Sequence, residues 1–129
     1  MADTAVMGVP AGAIVVTRLA QSSAILRGYA VKQGTLDNQV VLAGSAEEAR
    51  GIAQEGAAEN AVIPVVVFGP CIGIAGNAIT PGAFLKVDTG GDLVVSAGED
   101  TANIGWALSH ADAAGDEVVM FVLPVKKRS

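Results

Sequence analysis

The chain has 129 residues and a mass of 12.9 kDa, enough for one domain that buries roughly two-thirds of its unfolded surface. Hydrophobic residues make up 51%, aromatics only 4% and charged residues 16%, a balance that excludes disorder, while one cysteine, Cys71, and one histidine, His110, exclude an internal disulfide framework and a histidine ligand cluster. Thirteen acids face eight bases, and three of those bases are Lys126, Lys127 and Arg128; the rest of the chain carries −8, which disfavours phosphate backbones and hence nucleic acid.

Residues 1–12 (MADTAVMGVPAG) show no sustained period and read as an extended N-terminal arm. No basic region precedes an apolar stretch there, so a secretory signal is not expected. Short apolar runs follow from residue 13: AIVVTRLA (13–20), ILRGYAVKQ (25–33), QVVLA (39–43), RGIAQ (50–54) and AVIPVVVF (61–68). Then come CIGIA (71–75), AFLKV (83–87), LVVS (93–96), IGWALS (104–109) and EVVMFVL (117–123). Short Val/Ile-rich runs recurring about every 8–12 residues are the pattern of an all-β sandwich or barrel. A β domain over 13–124 is expected, with 125–129 as a basic, solvated C-terminal tail. No run reaches the ~18 apolar residues of a membrane-spanning helix, so no membrane partner is expected.

The breaks carry turn chemistry. Thr80-Pro81-Gly82 places Pro and Gly as a type II turn requires, and Asp88-Thr89-Gly90-Gly91-Asp92 reads as a hairpin loop. Pro64 cannot donate to a ladder, so its run is expected at a sheet edge or bulge. One stretch argues for helix. Ser45-Ala46-Glu47-Glu48 matches a capping box and Ala/Glu-rich sequence follows, so a short helical turn near 45–56 is the alternative to strand. Sliding residues 39–58 by 54 onto 93–112 favours strand. Val40, Val41, Ala43, Gly44, Gly51, Ala53 and Ala57 then fall on identical residues. Such a match implies two related β units packed together.

Reactive constellations are missing from the pattern. No Gly-Lys pair offers a phosphate loop, and Gly69, Gly73 and Gly76 do not have dinucleotide-binding spacing. His110 and Asp112 lie side by side in sequence without a nucleophile motif, and read as surface residues near a turn. Cys71 sits in an apolar setting and reads as a small buried residue. The paired acids Asp88/Asp92 and Glu99/Asp100 lack calcium-loop spacing. No catalytic residue, metal site or cofactor is expected. Trp106, with Phe84 and Phe121 in β runs, reads most simply as core; its other reading is a partner contact. Val6, Met7 and Val9 of the arm are the remaining candidate contacts.

The second half has a more specific pattern. GIAQEGAAENAVIPVVVFGP (51–70) is followed by AGNAITPGAFLKVDTGGDLVVS (75–96) and NIGWALSHADAAGDEVVMFVLP (103–124). With Ile104-Gly105-Trp106-Ala107-Leu108 and Ala114-Gly115-Asp116-Glu117-Val118, this order of turns and strands over about 40–124 resembles the capsid cement, or decoration, proteins of tailed bacteriophages. The resemblance implies a small β sandwich or barrel, with a jelly roll among the options. It implies a non-enzymatic virion protein, made in the host cytoplasm, on the outer surface of an icosahedral shell. Its implied partners are the major capsid protein, whose capsomers it would hold together, and itself, as a homodimer or alternatively a trimer. The rival reading from the residues is a β-sandwich recognition module for carbohydrate or a host surface.

Overall fold

The structure is a computed structural model and describes residues 12–21, 25–44, 48–96 and 103–125. Among these residues there are nine strands and no helix: β1 (Ile14–Ala20), β2 (Ala30–Gln33), β3 (Gln39–Leu42), β4 (Gly51–Ala53), β5 (Val62–Ile74), β6 (Phe84–Val87), β7 (Leu93–Val95), β8 (Asn103–Ala107) and β9 (Glu117–Val125). The expected runs are present with one correction. The described part of the 45–56 stretch contains β4, the favoured strand and not the alternative helical turn, because Gly51, Ile52 and Ala53 are all buried between neighbours. The runs at 61–68 and 71–75 are one 13-residue strand. Pro70 is accommodated because β5 pairs with β9 there on one side only.

Order within the first half is β1-β3-β2-β4-β5, and β1 also pairs antiparallel with the first half of β5. The five strands therefore close into a small barrel, with the parallel β1–β3 seam limited to Leu19↔Gln39 and Ala20↔Val40. The second half of β5 starts another unit: β5-β9-β8-β6-β7. A single parallel bridge, Ala75↔Leu93, links its last strand to its first. The all-β expectation is met, and the barrel is the form it takes. β5 is central, not an edge. Pro64 is tolerated because the β4 ladder ends at Ala53↔Val65, leaving the Pro64 carbonyl to accept from the Gln54 N–H at 2.9 Å.

The two units repeat each other in detail. Bridge Ile25↔Ala57 recurs as Ile79↔Ala111, and the pairs Ala30↔Ile52 and Val31↔Gly51 recur as Phe84↔Trp106 and Leu85↔Gly105, all 54 positions later. Gly28 N–H donates to the Ala53 carbonyl at 2.7 Å, and Gly82 N–H to the Ala107 carbonyl at 2.8 Å. Their φ values are 87° and 88°. In the first and last strands of each unit the shift is 55: Thr17↔Pro64 recurs as Ile72↔Val119. Matched Gly51 and Gly105 share a steric reason. A side-chain carbon at either would overlap a carbonyl oxygen of the next strand, that of Val66 or of Phe121. The internal match in the sequence thus marks a structural duplication, with β5 serving as last strand of one unit and first of the next.

Two cores follow from this plan. Ala20, Ile25, Val31, Val40, Ala53, Ile63 and Val65 fill part of the first barrel. The other core fills the second unit, with Leu85, Leu93, Ile104, Met120 and Val122 among its members. It also takes in Ala30, Ile52 and Val66 from the outer wall of the first barrel, which joins the two units.

Candidate functional site

Alternation places residues 68, 70, 72 and 74 of β5 and 119, 121 and 123 of β9 on the face away from the second core. That face is apolar. Across it the register aligns Phe84 on β6, Trp106 on β8, Phe121 on β9 and Pro70 on β5 in one row. Trp106 and Phe121 stack at 4.8 Å between ring centroids, 15° from parallel. Phe68 meets the Phe121 ring edge-on at 5.2 Å and 82°. Both geometries are favoured by the ring quadrupoles.

Four of the chain's five aromatics therefore lie on a single outward face. Phe84 is 59% exposed and Phe68 41%, so the row is open to a partner. Val119, Leu108 and Leu123 are exposed around it. The core reading of Trp106 is corrected: its ring is half-buried and outward, resting on Phe121 rather than in the interior. Strand alternation could have found this, since Ile104 and Ala107 are the buried members of β8.

The duplication shows why the row is significant. The positions matched to Phe84, Trp106 and Phe121 in the first unit are Ala30, Ile52 and Val66. Those three are fully buried against the second unit. The same row in the second unit carries larger, aromatic side chains and has no further unit of the described chain to cover it.

The remaining candidates are placed apart. Cys71 is buried, and its burial pushes the thiol up to about 12. His110 and Asp112 are both exposed, 3.7 Å apart, at the surface near the Ala111 bridge. Asp88 and Asp92 close the β6–β7 hairpin; the Asp92 carboxyl is raised by burial, with the Asp88 charge adding to the shift and a backbone hydrogen bond opposing it. Among the described residues no three His, Cys, Asp or Glu side chains gather where they would hold a metal ion. Val6, Met7 and Val9 lie outside the described residues, as do Ser45–Glu47 of the capping-box motif.

Comparison with known proteins adds three findings. A family model described as phage cement protein matches residues 9–122. Among solved structures, the head fiber N base of bacteriophage phi29 is similar in fold, with a TM-score of 0.70 at 18% identity, over 88% of this chain and 99% of that one. No curated protein matches the chain.

Proposed function

The chain belongs to the phage cement protein family and is a capsid cement or decoration protein, and from that premise we propose that its aromatic row is the surface by which it grips its partners. The carrying observation is the contrast between the two units. The row is covered by chain in the first unit, yet aromatic and open in the second. An apolar face of this kind is the usual mark of a protein interface, and Trp and Phe supply most of the energy of such contacts.

In this reading the protein sits on the outer surface of an icosahedral shell and bridges capsomers of the major capsid protein. It acts by binding and catalyses nothing. Copies also associate with one another, as a dimer or alternatively a trimer, and the arm residues Val6, Met7 and Val9 add contacts. The acidic body keeps the protein clear of packaged nucleic acid. Cementing is linkage: a ligand that binds only the assembled shell stabilises it, by ~2.7 kcal/mol per site at ~100-fold excess over Kd.

The test is binding of Trp106→Ser and Phe121→Ser variants to capsids lacking the protein. Each change exposes no new core, so the β domain should keep its melting temperature within a few degrees. Binding should weaken by ~30-fold or more, the equivalent of a ~2 kcal/mol hot spot. Unchanged capsid binding by both folded variants would remove the row from the interface.

A further inference from the structure

The first barrel has an open lumen. A cavity of about 430 Å³ is lined by Val16, Val40, Val65 and Val67 on its walls, with Arg18, Arg50 and Gln33 among its polar residues. This is within the range of roughly 300–1,000 Å³ typical of ligand sites, which pair apolar walls with a few convergent polar groups.

The duplicated unit shows that this cavity is not a consequence of the fold. Arg18, Gln33 and Arg50 match Gly73, Val87 and Ile104 in the second unit, by the same shifts of 55 and 54. There, Val87 and Ile104 are buried, as are Cys71, Met120 and Val122, which match Val16, Val65 and Val67. One plan therefore yields a packed core in one copy, and an open, basic-rimmed cavity in the other.

Two features identify the occupant. First, charge: among the described residues neither guanidinium has a carboxylate partner. Arg18 donates only to the Thr17 carbonyl at 2.9 Å, while Arg27, elsewhere, is paired with Glu117. Two guanidiniums without a carboxylate partner among the described residues, in a chain of net charge −5, form a local site for an anion. The valine walls favour a carboxylate on an aliphatic stem over a strongly hydrated phosphate. Second, backbone: β1 meets β3 only at Leu19 and Ala20. Along residues 14–18 the edge of β1 away from β5 has no strand beside it among the described residues. An open edge beside a side-chain pocket is the arrangement that accepts an added strand.

We propose that the first barrel binds an extended acidic segment of a partner polypeptide, whose backbone pairs along β1 while a glutamate flanked by aliphatic residues seats its carboxylate between Arg18 and Arg50. This site is lined by the first unit and by Pro124 of β9, and none of Phe84, Trp106 and Phe121 lines it, so it stands whether or not that row touches the shell.

The experiment is NMR titration of the full chain with the capped peptide acetyl-Thr-Val-Glu-Val-Thr-amide. Saturable shifts are expected at the methyls of Val16, Val40, Val65 and Val67. The same peptide with Gln for Glu should bind at least tenfold more weakly. Arg50→Ile, which installs the residue of the matching position, and Arg18→Gln should each cost at least tenfold; two variants guard against one failing to fold. Hexanoate supplies the carboxylate and stem without a backbone to pair, and should be at least tenfold weaker than the peptide. Absence of saturable shifts, or equal binding of the Gln peptide, would overturn the anion site. Equal binding of hexanoate would overturn the polypeptide occupant.

Discussion

Cys71 lies fully buried in β5, opposite Met120 on β9, and its thiol is raised to about 12 by desolvation alone. A buried thiol of this kind is a poor nucleophile and no candidate for bridging copies. It also has a consequence at alkaline pH. Below about pH 9 the thiol is protonated in both folded and unfolded chains. Above that, the unfolded chain loses the proton first, so stability falls as pH rises towards 12, by ~1.4 kcal/mol per unit. Between pH 9 and 10.5 the chain should lose ~2 kcal/mol more than a Cys71→Ala variant, measured by denaturant midpoints. Equal losses would mean that the thiol is open to water. At this scale the sequence was readable where the neighbours were uniform. Cys71 sits among apolar residues, so its burial was evident. Trp106 was not, because its outward direction depends on strand phase within a five-residue run with a bulge between Asn103 and Gly105.

Strands were legible wherever β-branched residues cluster between turn signals, and two turns formed as their residues require. Thr80-Pro81-Gly82 closes with the Ala83 N–H donating to the Thr80 carbonyl at 3.2 Å, and Gly91 N–H donates to the Asp88 carbonyl at 3.1 Å. One feature was illegible for a tertiary reason: Gly69-Pro70 looks like a break but continues β5, since only one side needs its donors. Gly51-Ile52-Ala53 was ambiguous between strand and a helical turn, and burial between two neighbouring strands holds it extended. The N-terminal segment, read from the sequence as an arm, has most to test. Residues 1–12 lack a core pattern but contain Val6, Met7 and Val9. Ordering such a segment costs ~1–2 kcal/mol per residue, which only new contacts can offset. Deleting residues 2–10 should leave the melting temperature of the β domain unchanged and weaken capsid binding or self-association by tenfold or more, as read by sedimentation with capsids. Full affinity in the truncated protein would make the arm a bystander.

As a whole, the molecule is one β unit used twice and altered differently in each copy. The first copy keeps Ala30, Ile52 and Val66 on its outer wall, where they pack under the second, and leaves its own lumen open. The second fills its lumen and carries aromatics on the matching outer wall. The sequence revealed the duplication most truly through Gly51, Ala53 and Ala57, which fall on Gly105, Ala107 and Ala111 in the structure too, because a glycine at a close strand contact and small alanines at bridges tolerate little change; β3 matches β7 one residue off that slide, since Gln33↔Val40 recurs as Val87↔Leu93. It could not reveal which copy would be filled, since that rests on pairing across β5. The central claim is that the open aromatic wall is covered on the virion. It is tested most directly by a particle map with density for this chain. The account predicts density outside the shell across a capsomer boundary, with Phe84, Trp106 and Phe121 buried against capsid protein or a second copy. Particles without this density, or a chain bound with that row facing solvent, would contradict it.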